Sequence, residues 1–224
     1  MNISYLLIAS LGMAAAAQAA SVSIVNPGFE SDAAAVAAGG GWADAVPSGW
    51  ADPNGASNGN FMEQIGGFAA DGIIHLGFDA SSDSGLGLVY QNLSTAWAPN
   101  TRYTLTLGVG NRSGWGAGAG RFGFGSSTDL PTGSVLYTPT VFFSDVDTSV
   151  TPAPGDGLFS DLTVTFTTGS TAPTGNIQIT TQRTGGANRL HVDNYRLDAT
   201  PVPEASGAVF GLAALGLLTL RRRR

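Results

Sequence analysis

The sequence contains no cysteine and no lysine. Without thiols there is neither a disulfide framework nor thiolate chemistry. All ten basic residues are arginines, and four of them form the terminal run Arg221–Arg224. The other six face sixteen Asp and Glu, so the body of the chain is acidic and repels phosphate backbones, which argues against nucleic acid as a partner. Histidine is scarce as well: His75 lies in the strand-like run Ile73-Ile74-His75-Leu76, and His191 is the other. No internal repeat is present, no GxGxxG opens a helix, and GxSxG, HExxH and EF-hand spacings are all missing. Nothing in the spacing of the acids selects a carboxylate pair for glycoside hydrolysis, and Asp145 and Asp147 read as a solvated loop pair. These absences predict a protein without enzymatic activity.

The two ends are set apart by composition. Residues 1–19 hold the apolar stretch Tyr5 to Ala17 followed by Ala17-Gln18-Ala19, the small-x-small pattern of a secretory signal helix. At the other end a hinge (200–204), an apolar segment (205–220) and the run Arg221–Arg224 follow one another. A helix over 205–220 is about 24 Å long at 1.5 Å per residue, close to the span of a bilayer core, and the arginines hold the C-terminus in the cytoplasm. The proline-bearing hinge is left extended at the outer interface.

Between the ends, in residues 20–199, the pattern is β throughout. Tyr103, Leu105, Leu107 and Val109 alternate with Thr104, Thr106 and Gly108, while Leu162, Val164 and Phe166 alternate with threonines. Such period-two patterning marks strands with one buried face. Further strands are predicted at 22–25, 60–65, 72–78, 85–93, 121–125, 135–143, 177–180 and 189–197, separated by Gly- and Pro-rich turns. Residues 33–41 read as a loop of small residues. About nine short strands predict an all-β, two-sheet jelly-roll sandwich flanked by the signal helix and a single C-terminal transmembrane helix.

The tail, with Val202, Pro203 and Glu204 before the apolar segment and Arg221, Arg222, Arg223 and Arg224 after it, resembles the PEP-CTERM sorting signal. That resemblance implies an exosortase-type membrane protease as partner, a transient stay in the inner membrane, then release to the cell surface or extracellular matrix. The body resembles the galactose-binding-like jelly roll of carbohydrate-binding modules. The segments carrying the likeness are Asn26-Pro27-Gly28-Phe29-Glu30, Val46-Pro47-Ser48-Gly49-Trp50, Gly87 to Leu93, Pro99 to Leu105 and His191-Val192-Asp193-Asn194-Tyr195-Arg196-Leu197. In that superfamily a structural calcium often bridges the first and last strands; carried over, the resemblance points to Glu30 and Asp193, with carbonyls near Asn26 adding oxygens. Leu190 and Val192 share one parity and Tyr195 and Leu197 the other, so a bulge is expected near Asp193.

Sugar recognition uses exposed aromatic faces beside polar groups. Trp50 and Trp97 read as packing residues, whereas Trp42 and Trp115 sit in glycine-rich loops and are the candidate platforms. The expectation is a non-enzymatic, exported, exopolysaccharide- or biofilm-associated protein that binds polysaccharide. The alternatives are a structural or adhesive matrix protein, and a lyase, hydrolase or cyclase on the same fold.

Overall fold

The computed structural model describes residues 18–53, 59–79, 87–129, 139–185 and 188–203. Within them eleven strands form two sheets: β1 (Ala20–Val22), β2 (Trp42–Ala43), β3 (Asn60–Gln64), β4 (Ile74–Phe78), β5 (Leu88–Ala96), β6 (Thr101–Asn111), β7 (Ala119–Ser126), β8 (Phe142–Asp147), β9 (Leu158–Thr167), β10 (Asn176–Gly185) and β11 (Leu190–Pro201). The larger sheet runs β2-β3-β4-β11-β6-β9 with β1 also on β11, and the smaller runs β5-β10-β7-β8. Every described pairing is antiparallel. The all-β, two-sheet expectation holds, with two more strands than the nine expected.

The alternating residues read from the sequence do face inward. Leu105, Leu107 and Val109 of β6, Leu162 and Val164 of β9, and Ile177 and Ile179 of β10 are buried in one shared core. Trp50 and Trp97 are buried, as expected of packing residues. Tyr195 spans the sandwich, its hydroxyl 2.7 Å from that of Thr181 on the opposite sheet.

Two local expectations need correction. Residues 33–38 form a helix, α1 (Ala33–Ala38), where a loop was expected. Alanine has the highest helix propensity, and α1 buries Val36 completely, so one apolar contact anchors a run with no longer-range periodicity. Asp145 and Asp147 are solvent-exposed as expected, but they belong to β8 and not to a loop. Arg121 on neighbouring β7 donates to both Asp145 oxygens, at 2.5 and 2.6 Å, and holds that carboxyl below its ordinary range.

The motifs carrying the jelly-roll resemblance act as staples. Asn26 donates to Asp32, and the Asp32 carboxylate accepts from both the backbone N–H and the hydroxyl of Ser48. Trp50 donates its indole N–H to the Asn26 carbonyl, and Tyr195 its backbone N–H to the Pro27 carbonyl. Phe29 is fully buried despite a φ of 62°, a left-handed conformation costly for a bulky side chain. Its ring lies 5.7 Å from Trp50 and 6.0 Å from Tyr195. The Asn26–Glu30 and Pro47–Trp50 segments thus fasten the start of the chain to its last strand.

That strand carries the expected bulge. Its register on β6 shifts between Asp193 and Arg196, and Asn194 takes a φ of 50°, which lets Val192 and Tyr195 both face the core. β11 also runs into the predicted hinge: it ends at Pro201, and the Val202 N–H donates to the Asn100 carbonyl at 2.7 Å. The predicted signal helix (1–17 of its 19 residues) and the predicted transmembrane segment, with Glu204 and Arg221–Arg224, lie outside the described residues. Among the described residues no helix is long and apolar enough to cross a membrane.

Candidate functional site

The outward face of the larger sheet carries a row fixed by register. Phe61 of β3 pairs with Gly77 of β4, which pairs with His191 of β11, then Gly110 of β6 and Phe159 of β9. A second row places Glu63 beside His75. His191 is therefore flanked by two glycines, and the space they leave is filled by rings from the sheet edges. A side chain on Gly77 would collide with Phe61, its Cβ falling 2.1 Å from the ring, and one on Gly110 would come within 2.7–2.8 Å of Phe159 and Phe68. The missing side chains make room for aromatic groups to lean over the centre of the sheet.

The result is a polar cluster inside an aromatic enclosure. The rings of His75 and His191 are 5.2 Å apart at 63°, and Phe68, reaching across from the 65–73 loop, lies 5.0 Å from one and 5.5 Å from the other. Both imidazoles are fully buried, and none of their four nitrogens has a hydrogen-bond partner. Glu63 comes nearest: its Oε2 is 3.6 Å from His75 Nε2, beyond hydrogen-bond length, and accepts from Arg112 at 2.8 Å. Burial, reinforced by the positive charge near His75, Arg112 and Arg189, holds the His191 pKa well below its ordinary value, so this imidazole is neutral at pH 7. A neutral imidazole offers one N–H donor and one lone pair. The cluster can donate and accept protons, and nothing in the fold occupies either function.

Trp42 and Trp115, predicted as separate platforms, meet at the mouth of this enclosure. Trp42 stacks on Phe61 with centroids 4.0 Å apart, and the Arg189 guanidinium lies 3.9 Å from the Trp115 ring and 5.7 Å from that of Trp42. Trp115 is 48% exposed. The tryptophans were expected as sugar platforms; the cluster they stand beside, His75, His191, Glu63, Phe61, Phe68 and Phe159, was not foreseen from the sequence. One signal was available. Ile74, Leu76 and Phe78 mark the inward parity of β4, as Leu190 and Val192 do for β11, which puts both histidines of the chain on outward positions.

Glu30 and Asp193, the predicted metal ligands, grip the loop that carries Phe68. Asp193 Oδ2 accepts the N–H groups of Ala70 and Asp71 at 2.7 and 3.0 Å, and Glu30 Oε1 accepts those of Ile73 and Ile74 at 2.8 and 2.7 Å. The Asp71 carboxylate lies close to that of Asp193, each about equally near the position a Gly28 Cβ would take (3.5 and 3.6 Å). Burial, added to by the Asp71 charge, pushes the Asp193 carboxyl up to about 7 against three opposing backbone hydrogen bonds. No arginine or histidine forms an ion pair with Glu30, Asp71 or Asp193 among the described residues. The Asn26 carbonyl, expected as a further ligand, already accepts the Trp50 indole N–H. Among the described residues, the ligand atoms that come within 4.8 Å of one another as a triad are those of Glu63, His75 and His191.

Comparison with known proteins identifies relatives of this architecture. A family described as HpiC1-like, HpiC1 cyclase, matches residues 20–198. A cyclase from Fischerella sp. TAU superposes with a TM-score of 0.59 at 20% identity, covering 84% of this chain and all of the other. The Stig cyclase Fisc from the same organism, in complex with (3Z)-3-(1-methyl-2-pyrrolidinylidene)-3H-indole, gives 0.57 at 22% identity over 83% of this chain and all of the other. A cyclase from that organism in complex with 4-(1H-indol-3-yl)butan-2-one gives 0.57 at 21% identity, with the same coverage. These likenesses show a shared fold. No curated protein sequence matches the chain.

Proposed function

Because the chain belongs to the HpiC1-like cyclase family, we propose that it closes a ring in an apolar, indole-bearing substrate seated against the aromatic enclosure around His75 and His191. The family match overturns the expectation of a non-enzymatic, glycan-binding matrix protein of exopolysaccharide or biofilm, and supports the cyclase alternative. The physical reason for the error is that Trp42 and Trp115 stand at the surface, where a sugar platform would be, while the reactive groups behind them come from strands far apart in sequence.

One observation carries the reading: two buried imidazoles with four unpartnered nitrogens lie beneath a layer of aromatic rings. Ring closure by isomerisation adds and removes no atoms. It needs a folded substrate, exclusion of water, and transfer of a proton between two places on the same molecule. Phe61, Phe68, Phe159 and Trp42 supply apolar faces that hold an extended hydrocarbon chain coiled against an indole. His75 and His191 supply a donor and an acceptor at adjacent points. Arg112 and Arg189 at the rim stabilise negative charge that develops on a polar substituent.

The test is direct. The chain should bind 4-(1H-indol-3-yl)butan-2-one, the ligand of its structural neighbour, with a change in tryptophan fluorescence that Trp42→Ala and Phe61→Ala remove. Supplied with an alkenyl-substituted indole, it should yield a product of unchanged mass with one more ring by NMR. A folded chain that binds no indole compound ends the proposal.

Calcium is the metal implied by the jelly-roll resemblance, and the acidic group near Gly28 fits it. A buried carboxylate beside a second one, with no cationic side chain on either, is an arrangement that a hard cation neutralises, and all its donors are oxygens. Asp193 and Asp71 would hold the ion, with Glu30, which is not brought within ligand distance of both, fastening the far end of the same loop. There it would supply the positive charge that lets the 65–73 loop stay fastened to both the beginning and the end of the chain.

A further inference from the structure

The same face of the sheet carries a second kind of ligand set, and it differs in chemistry from the acidic group near Gly28. Glu63, His75 and His191 present one carboxylate and two imidazoles whose ligand atoms all lie within 4.8 Å of one another. All three side chains are buried. A tetrahedral zinc with bonds of about 2.0–2.1 Å keeps its ligand atoms roughly 3.3 Å apart. The 3.6 Å between His75 Nε2 and Glu63 Oε2 needs only a small adjustment to reach that spacing.

A further observation separates this cluster from an ordinary core contact. A buried polar atom without a partner is destabilising, and here four ring nitrogens on two adjacent histidines are left so together. Native folds rarely tolerate one such atom without a reason. Two nitrogens and one carboxylate oxygen suit a borderline transition-metal ion and are a poor set for calcium, which takes six to eight oxygens.

We propose that Glu63, His75 and His191 form a three-ligand binding site for a divalent transition-metal ion of the zinc class. Arg112 is the built-in competitor. Its guanidinium holds Glu63 Oε2 at 2.8 Å and must yield that oxygen, or leave the metal the other one. The site therefore binds more weakly than a closed structural zinc centre and exchanges its ion. The inference does not rest on the cyclase reading and competes with it at this cluster, because an imidazole that gives its lone pair to the ion no longer accepts a proton; metal binding and ring closure by the metal-free chain are therefore read separately.

Cobalt(II) serves as the probe, because low-coordinate cobalt absorbs in the visible and aqueous cobalt barely does. Titration into the full chain, prepared without a histidine tag, should produce these bands at one equivalent. Zinc should bleach them, and millimolar calcium should leave them in place. His75→Ala and His191→Ala should each weaken binding about 100-fold or more, and Glu63→Gln should weaken it less. Arg112→Leu keeps every ligand and frees Glu63, so it should tighten binding about tenfold even if the histidine variants fold poorly. Absence of visible bands in the folded wild-type chain overturns the proposal. So do bands that survive in a folded His191→Ala variant, or that weaken in Arg112→Leu.

Discussion

Replacing His191 with leucine should raise the stability of the protein while abolishing its chemistry. Leucine fills a similar volume and is at home among Phe61, Phe68 and the His75 ring, all within about the same contact shell. It removes two buried nitrogens that have no partner, which relieves about 1–3 kcal/mol. The gain should widen at acid pH. His191 has a folded pKa well below its ordinary 6.5, so the unfolded chain takes up a proton there that the folded chain refuses, and wild-type stability is lost as pH falls below about 6.5. The leucine variant has no such loss. Ring closure, by contrast, should drop about 10²–10⁴-fold, the usual contribution of a positioned acid or base. Melting temperature and turnover measured on the same preparation decide the matter. A variant that is less stable and still active would show that the imidazole serves packing and nothing else.

Calcium should stabilise the protein strongly at pH 8 and not at all near pH 4. In the metal-free chain the Asp193 carboxyl titrates at about 7, against an ordinary 3.8. Its folded pKa is raised, so the folded state holds the extra proton; the resulting stability is fully present below about pH 4 and is lost as pH rises through 7. The difference of about three units corresponds to about 4 kcal/mol, or roughly 10 °C in Tm for a domain of this size. His191 works in the opposite sense over part of the same range, so the pH curve of the metal-free chain alone mixes the two. The difference between curves recorded in calcium and in chelator separates them, because the ion replaces the Asp193 proton and leaves His191 untouched. That increment should grow from pH 5 to pH 8, and Asp193→Ala should erase it. A calcium increment that is zero at pH 8, or independent of pH, would remove the ion from the acidic group near Gly28.

The sandwich was legible because a strand's buried parity is a local property. Tyr103 to Val109 and Leu162 to Phe166 declare their inward face within seven residues, and the core is built from those positions. The bulge at Asp193 was legible for the same reason, since the parity switch between Val192 and Tyr195 is visible in six residues. Glu30 and Asp193, which the jelly-roll resemblance offered as metal ligands, both accept hydrogen bonds from the 65–74 stretch, whose sequence gave no sign of it. The helix at Ala33–Ala38 was missed because six residues are too few to display a period. The polar cluster was out of reach for a different reason. His75 and His191 are 116 positions apart in a chain of 224 residues, and their meeting depends on β4 and β11 pairing with Gly77 opposite His191. Register across a sheet is set by the whole fold, and a slip of one residue in either strand would have sent its imidazole to the other face and parted the pair.

The glycines beside His191 have a bearing on how such a protein diversifies. The room above the imidazoles comes from the hydrogen-bonded ladder itself, at Gly77 and Gly110, and the rings of Phe61, Phe68 and Phe159 fill it. Exchange of Phe61, Phe68 or Phe159 for smaller or larger residues resizes the chamber while each strand keeps its full set of neighbours. Such exchanges leave the backbone ladder intact, but Phe61 and Phe68 are buried rings, so the reshaping trades against about 3–5 kcal/mol of packing when either is truncated.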